Sequence, residues 1–459
     1  MRLIVKRRSI DKMTFIPISD NDRKEMLKDI GVASIDELFE VIPEKIRLKD
    51  FNSFEGCNEN NIIRKAKKIS IKNREAAESI CFAGAGYYDH FVPAAIDSLV
   101  SRGEFSTAYT PYQPEVSQGT LQAIFEYQSM ICELTGMEVA NASMYDGATA
   151  LAEAILLSLR STRKQKILIS STVNPVYRQV INSYLSGQSI EIIDIPEENG
   201  CINIRFIEEN ANSETACIVV QIPNFYGIVE NGLDIRKAIP DKVDYIVCAD
   251  PNSLGILEAP GKYGADIVVG DCQTLGIPLS FGGPSNGYFA VNSKHMRKMP
   301  GRVVGKTVDL DGKTGYVLTL QAREQHIRRE KATSNICSNQ QLAALRNLIY
   351  LSLAGRKGLK EISYSCMENS HYLAEKISSI NGFSLRYDAP FYKEFIIECP
   401  VDASKLIMNI FDKYMIIAGI PLSRFNKEDR KGLLIAVTEK RSKQDMNLLV
   451  DALKEWEEK

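Results

Sequence analysis

Tyr245-Ile-Val-Cys-Ala-Asp-Pro-Asn252 and Asp266-Ile-Val-Val-Gly-Asp-Cys-Gln-Thr-Leu275 are two short apolar runs, each followed at once by polar residues. Both runs are rich in β-branched residues and are bounded by turn-forming residues, which is the pattern of buried strands. In open parallel sheets, ligands bind beyond the carboxyl ends of the strands. The residues that follow these runs, Asp250 and Gln273, are therefore the first candidates for a functional site.

Similar apolar runs recur along the middle of the chain at intervals of roughly 20 to 30 residues, enough for a crossover helix and two loops. This spacing predicts an α/β fold with a mainly parallel sheet and helices on both faces. A packed helix is predicted over 148–159. The other predicted strands are Ile167–Ser170, Ile190–Ile195, Cys217–Ile222 and Gly287–Val291.

The chain is predicted to have four parts. These are an N-terminal helical arm (1–60), a large α/β domain (61–299), a polar connector (300–335) and a small α+β domain (336–459). In the arm, Ser34 and Glu37 form a capping-box pattern that predicts a helix start. The small domain is predicted to contain helices at 340–353, 365–380, 403–413 and from 442 onward, and strands at 394–398 and 433–437.

The overall composition excludes several classes of protein. The chain has 56 basic and 58 acidic residues, a balance that disfavours binding to nucleic acid or to anionic membranes. Its apolar runs are too short to cross a bilayer, so a soluble cytoplasmic protein is expected. Ten cysteines without a C-x-x-C pair, and four histidines without metal spacing, predict reduced thiols and no metal site.

Asp250 and Gln273 together resemble the cofactor-binding positions of pyridoxal phosphate (PLP) enzymes of the aspartate-aminotransferase type, fold type I. In those enzymes an Asp pairs with the pyridinium nitrogen and a Lys forms the Schiff base. Taken alone, Asp250-Pro-Asn252 is also an ordinary turn signal. An amide cannot form an imine, so Gln273 predicts that this site does not hold PLP covalently. Lys294 is retained as an alternative reactive lysine, although a surface position is expected for it.

Two upstream segments are rich in tyrosine, glycine and proline. We call Phe82–Pro93 the first tyrosine segment and Tyr109–Gly119 the second. Their turn-forming residues predict loops. Aromatic rings can form the walls of a pocket, and hydroxyl, amide and carboxyl groups can orient a small polar ligand. A purely structural loop is an equal alternative. The candidate site residues are Tyr87, Tyr88, Tyr109, Tyr112, Glu115 and Gln118.

Two further stretches carry polar or charged residues. The residues of Asn141–Thr149 precede a predicted helix, where small and hydroxyl side chains either bind a phosphate or cap the helix. Capping is the favoured interpretation. The charge run Leu320–Cys337 alternates arginine with glutamate at Arg323, Glu324 and Arg328–Glu330, which predicts a salt-bridged connector. Contacts of this run with a partner are a second possibility.

Four motifs occur together in the chain: Gly84-Ala-Gly-Tyr-Tyr88, the second tyrosine segment, Gln221-Ile-Pro-Asn-Phe-Tyr-Gly227 and Arg323-Glu-Gln-His-Ile-Arg-Arg-Glu-Lys-Ala-Thr-Ser-Asn335. Together they resemble one protein family, glycine dehydrogenase (decarboxylating), the P-protein of the glycine cleavage system. The resemblance covers the chain from Met13 onward, which predicts that residues 1–12 are an extension. The length of the chain and its missing lysine resemble subunit 1, the α subunit of the split form.

The resemblance implies a subunit that acts with a second, PLP-carrying subunit, two of each, to decarboxylate glycine. The aminomethyl group then passes to the lipoyl arm of the H-protein. Pro278 and Pro284 keep the family's spacing and place Gln273 on the lysine position, so that Asp250 and Gln273 form a degenerate cofactor site. The two tyrosine segments are the expected contribution to the shared active site. The alternatives are a non-catalytic scaffold subunit and an independent PLP enzyme that uses Lys294.

Overall fold

The computed structural model describes residues 18–48, 56–73, 79–321, 325–332, 334–338 and 340–457. The chain divides into two units, Met1–Asn73 and Arg74–Lys459. The predicted extension, residues 1–12, lies outside the described residues, as do Arg323 and Glu324 of the charge run. Within the described residues, we find no helix that is both long and apolar enough to cross a membrane.

The first unit contains two α-helices with exposed surfaces and well-defined ends. Ser19 begins the first helix with a capping box to Asp22, and Gly31 ends it in the left-handed conformation at φ 87°. The predicted Ser34–Glu37 capping pair forms, with Oγ to Oε1 at 3.3 Å. It begins a 3₁₀-helix rather than an α-helix. The helices of this unit are Asp20–Ile30, Asp36–Phe39, Glu44–Ile46 and Glu59–Ser70.

The second unit is built on a seven-stranded sheet with the order β1-β7-β6-β5-β4-β2-β3. Pairing among β2 to β6 is parallel, whereas β7 runs antiparallel to both of its neighbours. The predicted mainly parallel sheet is confirmed. Its strands, in chain order, are β1 (Val139–Ala140), β2 (Lys166–Ser170), β3 (Glu191–Ile195), β4 (Thr215–Ile222), β5 (Asp244–Ala249), β6 (Ile267–Asp271) and β7 (Gly287–Val291).

Helices cover both faces of this sheet, as the alternation of its side chains shows. Leu168 and Val247 belong to one apolar cluster, whereas their neighbours Ile169 and Ile246 belong to another. The first cluster includes residues of the helices Gln118–Thr135, Ile204–Asn210, Gly232–Ala238 and Gln341–Ser378. The second includes residues of Gly147–Thr162 and Pro175–Leu185. A sheet buried on both faces requires the near-continuous apolar strands seen in the sequence.

A second, antiparallel sheet near the C-terminus has the order β8-β9-β11-β10, with β8 Ser384–Leu385, β9 Glu394–Glu398, β10 Ile420–Pro421 and β11 Gly432–Ala436. It packs with the helices Ala403–Tyr414 and Lys443–Glu457. Phe82, of the first tyrosine segment, belongs to the same core. The parallel pair Ile80–Cys81 and Ile416–Ile417 forms a separate two-stranded sheet, and Ala436 N, at the end of β11, donates to Phe82 O at 2.9 Å.

The stretch Gln341–Ser378 consists of two helices that meet at a kink at Gly355, so the prediction of two helices is confirmed. Gly355 separates them with φ 60° and ψ −178°, outside the helical region. Glycine tolerates this conformation because it has no Cβ. Residues 356–364, which lie between the two predicted helices, belong to the second helix, so this helix begins earlier than predicted.

A β-hairpin formed by Val303–Val308 and Thr314–Thr319 follows the large sheet, in a stretch for which the sequence predicted no strand. Its turn contains Asp309, whose carboxylate accepts from Lys313 N at 2.8 Å, and Gly312 at φ 78°. The Asp311-Gly312 pair was the turn signal in the sequence. The remaining short elements are Ala94–Val100, Gly103–Phe105, Pro114–Val116, Glu197–Glu198, Cys201–Ile202, Ser253–Gly255, Pro260–Tyr263, Ser280–Gly282, Met296–Lys298, Gln325–Arg328, Arg329–Lys331 and Leu422–Arg424.

Candidate functional site

The candidate site lies at the carboxyl ends of β5 and β6. Asp250 directly follows β5, and Gln273 lies two residues beyond the end of β6. Thr274 Oγ1 donates to Asp250 Oδ1 at 3.1 Å and joins the two strand ends. The structure therefore brings together the two residues that the sequence placed at a degenerate cofactor site. We give the name Asp250 pocket to the cluster formed by the side chains Asp250, Asp271, Gln273, Lys393 and Glu394, most of which are buried.

The amide of Gln273 is buried and binds the backbone of the first tyrosine segment. Its Nε2 donates to Tyr88 O at 3.0 Å and to Ile277 O at 2.9 Å. Its Oε1 accepts from Tyr88 N at 2.9 Å. Both amide protons and the carbonyl oxygen thus have partners, which a buried amide requires. Gln273 holds Tyr88 against the ends of the strands.

Asp250 is paired with a buried lysine that lies next to the C-terminal antiparallel sheet. Lys393 precedes β9, and its Nζ lies 2.6 Å from Asp250 Oδ2, as an ion pair without the alignment of a hydrogen bond. Only 3% of the Lys393 side chain is exposed. The same Nζ lies 3.6 Å from the centroid of the Tyr88 ring and 3.1 Å from His90 Nε2. The ammonium is thus surrounded by a carboxylate, an aromatic face and an imidazole, all of which favour a cation.

Glu394 forms the other side of the pocket. Its Oε1 accepts from Ala85 N at 2.6 Å, and its Oε2 accepts from the Tyr88 hydroxyl at 2.5 Å. Burial raises the pKa of Glu394 to about 7, against the lowering effects of these two hydrogen bonds and of Lys393, and Asp250 adds to the rise. Protonation of Glu394 leaves Lys393 and Asp250 as a balanced pair of charges.

The raised pKa of Glu394 predicts a pH-dependent stability. A carboxyl group that binds its proton more tightly in the folded state favours folding below its unfolded pKa, and this contribution is lost as the pH rises through about 7. For Glu394 the contribution is on the order of 3 kcal/mol. We expect the free energy of unfolding, measured with urea between about pH 5 and pH 8, to fall with rising pH.

The variant Glu394→Gln isolates this contribution, because Gln keeps an acceptor for Ala85 N and cannot ionise. Its stability should fall less steeply with pH than that of the unchanged chain. Asp271, the other buried acid with a raised pKa in the pocket, is present in both proteins and cancels in the comparison. Equal slopes for the two proteins would show that Glu394 does not titrate in this range.

Asp271 ends β6 and lies at the N-terminus of the helix Gly147–Thr162. Its carboxylate accepts from Gly147 N at 3.0 Å, from Gln273 N at 2.8 Å and from Ser285 Oγ at 2.5 Å. Burial raises the pKa of Asp271 to about 6, although these hydrogen bonds oppose the rise. The helix dipole and the N–H group of Gly147 make this position favourable for a negative charge. The carboxylate of Asp271 already occupies it.

The start of the same helix is capped by its own residues. Asp146 Oδ1 accepts from Thr149 N at 2.8 Å, and the Thr149 hydroxyl completes a capping box. The capping interpretation of Asn141–Thr149, favoured from the sequence, is confirmed.

The six candidate residues of the tyrosine segments do not lie together. Tyr88 is buried in the Asp250 pocket, and Tyr87 is half-buried near Ser285 and Asp271. Tyr109 is 87% exposed, and Glu115 is also exposed. Tyr112 and Gln118 are held by hydrogen bonds within the unit Arg74–Lys459. The hydroxyl of Tyr112 accepts from Arg302 Nη2 at 2.7 Å, and Gln118 Oε1 accepts from Tyr316 N at 2.9 Å.

Lys294, the alternative reactive lysine, lies at the opposite end of the sheet. Its Nζ is 2.6 Å from Asp266 Oδ1 and 3.1 Å from Asp244 Oδ1. Asp244 begins β5 and Asp266 directly precedes β6, whereas Asp250 follows β5. The length of the sheet therefore separates Lys294 from the Asp250 pocket. This geometry argues against an independent active site built on Lys294.

The comparisons with known proteins agree on one family. The family model for the glycine cleavage system P-protein matches residues 13–453. The chain belongs to the P-protein family. It is 48% identical over 443 residues to the probable glycine dehydrogenase (decarboxylating) subunit 1 of Bacillus mycoides, covering 96% of this chain and 98% of that protein.

Solved structures place this P-protein family member in PLP-dependent fold type I, as predicted. A crystal structure of glycine decarboxylase (P-protein) of the glycine cleavage system, in inhibitor-bound form, matches with a TM-score of 0.86 at 40% identity. The match covers 96% of this chain and all of that one. The glutamate decarboxylase of Lactobacillus brevis shares the fold with a TM-score of 0.66 at 15% identity, over 91% and 96% of the two chains.

The residues of this P-protein family member do not fit the cofactor of its fold. A PLP site needs a lysine for the imine, an acidic partner that is free for the ring nitrogen, and donors that are free for the phosphate. Gln273 cannot form the imine. The carboxylate of Asp250 is paired with Lys393, and the N–H of Gly147 is bonded to Asp271. The first requirement fails outright, and the groups that would meet the other two already have partners within the chain.

Sequence reasoning missed Lys393, Glu394 and Asp271. Two signals could have found them. Asp271 stands at the carboxyl end of β6 as Asp250 stands at that of β5, and ligands of parallel sheets bind at these ends. Lys393 and Glu394 are adjacent charges at the start of an apolar strand, where a buried charge requires a partner. Neither signal identifies the partner, because the two sheets meet only in the folded chain.

A cluster beside Lys393 has atoms of metal-ligand type. Among the described residues, His90, Cys366 and Glu439 place ligand atoms within 4.8 Å of one another. His90 Nδ1 contacts Glu439 Oε2 at 2.7 Å, which leaves Nε2 facing the Lys393 ammonium. A metal cation here would face that positive charge at close range. The network is better suited to hold the first tyrosine segment than to bind a metal.

Proposed function

We propose that this chain is subunit 1 of glycine decarboxylase, the P-protein of the glycine cleavage system, and that it is active only with a second subunit. The observation that carries the proposal is Gln273. In a chain otherwise similar over its length to glycine dehydrogenase subunit 1, the residue at the lysine position is an amide whose polar atoms are all bonded within the fold. The reactive lysine must then come from another chain.

In this proposal the second subunit binds PLP, which supplies the electron sink for decarboxylation of glycine. The aminomethyl group passes to the lipoyl arm of the H-protein, and the assembly contains two copies of each subunit. The residues that this chain can offer to the shared site are those at its surface. Tyr109 and Glu115 are exposed, and Tyr112 is half-exposed and fixed by Arg302. Tyr88 is buried in the Asp250 pocket, where it is hydrogen-bonded to Gln273 and Glu394.

The surface around Tyr109 supports docking of a partner at this position. A cleft of about 650 Å³ is lined by Tyr109, Ile277, Pro278 and Leu342. Both Tyr109 and Leu342 are largely exposed, and Ser280, also on the cleft, precedes the fully exposed Phe281. Exposed apolar side chains grouped around a cleft are typical of interaction surfaces. We assign this surface to the second subunit.

The direct test of the proposal is reconstitution. The purified full chain should show no glycine–CO2 exchange in the presence of PLP, and exchange should appear when the second subunit is added. The second subunit alone is the matched control. Exchange by this chain without a partner would contradict the proposal, as would failure of the two subunits to form an active complex.

A scaffold role without a catalytic contribution is separated from this proposal by one variant. Tyr109→Ala should lower kcat of the assembled complex by at least about tenfold if its ring forms part of the active site, a loss equivalent to about 1.4 kcal/mol. Tyr364→Ala is the control, because Tyr364 is 55% exposed and belongs to the helical stretch Gln341–Ser378. Unchanged kcat with intact assembly in the Tyr109 variant would favour the scaffold role.

A further inference from the structure

We propose that the Asp250 pocket cannot bind PLP, because charged side chains of the chain itself occupy the positions that PLP requires. Lys393 occupies the position of the ring nitrogen, and Asp271 occupies that of the phosphate. The proposal concerns this chain alone and holds whether or not the complex decarboxylates glycine. It differs from the loss of a lysine in one respect. A pocket that had lost only its lysine would bind PLP again once that lysine was restored.

Lys393 takes the place of the protonated ring nitrogen. In a PLP site an acidic side chain accepts a hydrogen bond from the ring nitrogen and stabilises the pyridinium charge. Here the positive charge that faces Asp250 belongs to Lys393, at 2.6 Å from Oδ2. The Tyr88 ring, whose centroid lies 3.6 Å from the ammonium, covers the pair. A buried carboxylate that is already neutralised by a nearby cation gains little from a second cation.

Asp271 takes the place of the phosphate. Helix N-termini bind phosphate through free N–H groups and the helix dipole. At the helix Gly147–Thr162, Gly147 N donates to Asp271 and Thr149 N donates to Asp146. Two carboxylates at one helix start repel an incoming phosphate. The helix start is also crowded, since a Cβ added at Gly147 would lie 2.6 Å from the Tyr177 hydroxyl oxygen.

The first tyrosine segment closes the pocket between these two charges. Its backbone is bonded to Gln273 at Tyr88 and to Glu394 at Ala85. Asn174 Nδ2 donates to Ala85 O at 2.9 Å, and Phe91 N donates to Glu439 at 2.8 Å. For PLP to enter, this segment would have to leave and several buried polar groups would lose their partners, which is unfavourable.

The test places a lysine at position 273 of the full chain and measures whether the chain then binds PLP. The single variant Gln273→Lys is compared with the triple variant Gln273→Lys/Lys393→Met/Asp271→Ser. The triple variant restores the lysine at position 273 and also removes the charges of Lys393 and Asp271. Each chain is incubated with PLP, reduced with borohydride and mapped for pyridoxyl-lysine at position 273. We expect labelling of the single variant to stay at least about tenfold below that of the triple variant, a ratio equivalent to about 1.4 kcal/mol of binding free energy.

Two results would overturn the proposal. One is stoichiometric labelling of position 273 in the single variant, which would show that the pocket is open. The other is a folded triple variant that labels no better than the single variant, which would show that other groups close the pocket. Thermal unfolding measured without PLP establishes that each variant is folded.

A measurement on the unchanged chain keeps the proposal testable if the variants do not fold. Acetic anhydride should modify Lys393 at least about tenfold more slowly than the surface lysine Lys237, because Lys393 is buried in an ion pair. Mass spectrometry of the peptides gives both rates in one sample. Equal rates would show an accessible pocket and would contradict the proposal.

Discussion

Replacing Lys393 by Met is expected to lower the free energy of unfolding of the full chain by about 3–5 kcal/mol. Met preserves much of the length of the side chain and removes its charge. The carboxylate of Asp250 would then lose its counter-ion in a place where water cannot replace it. Removing one partner of a buried ion pair is more costly than removing both, because an unpaired charge stays behind.

The measurement is urea unfolding at neutral pH. The control is Lys237→Met, because Lys237 pairs with Asp234 at the surface, with side chains 66% and 47% exposed. We expect the control to lose no more than about 0.5 kcal/mol. The double variant Lys393→Met/Asp250→Asn should recover a large part of the loss, because it leaves no charge unpaired. Losses of similar size in Lys393→Met and in the control would contradict the ion-pair argument.

Gly227→Ala is expected to lower the free energy of unfolding by about 2–5 kcal/mol. Gly227 has a φ of 83°, which costs any residue with a Cβ about 1–2 kcal/mol. A Cβ there would also lie 1.9 Å from the backbone oxygen of Glu394. The backbone cannot move away freely, because Gly227 O accepts from Tyr392 N at 3.0 Å. The added methyl group would therefore displace the strand that carries Lys393 and Glu394.

The control for this variant is Gly312→Ala, in the turn of the hairpin. Gly312 has a φ of 78°, and a Cβ there would meet no atom within 4 Å. Both variants thus carry the conformational cost, and only Gly227→Ala carries the clash. We expect about 1–2 kcal/mol for the control. Equal losses of unfolding free energy in the two variants would contradict the prediction, because they would show that the backbone at Glu394 moves away from the added Cβ without loss of stability.

The Asp250 pocket shows how buried charges at the strand ends of this fold are satisfied by the chain itself. A bound cofactor can supply charges that neutralise the buried groups around it. Without one, those groups need other partners, because unpaired buried charges and polar groups are unfavourable. Here Lys393 forms an ion pair with Asp250, and the amide of Gln273 forms hydrogen bonds with the backbone of Tyr88.

How far the sequence predicted the site differs from residue to residue. Asp250 and Gln273 were predicted together because strand ends of a parallel sheet meet at one edge, a rule that depends only on strand order. The six residues of the tyrosine segments could not be separated into buried and exposed ones. Their burial depends on which atoms the rest of the chain places against them, and loops have no periodicity that reports this. Their roles in catalysis stay predictions.

From its sequence alone, this protein was determined to have a mainly parallel α/β sheet, capped helices and an amide where an imine-forming lysine would be needed. These features are local: they depend on side-chain pattern, turn chemistry and the functional group of one residue. Only the tertiary structure decided that Lys393 neutralises Asp250 and that Asp271 lies at the start of the helix Gly147–Thr162. Pairing of buried charges depends on distances between elements remote in sequence, and those distances exist only in the folded chain.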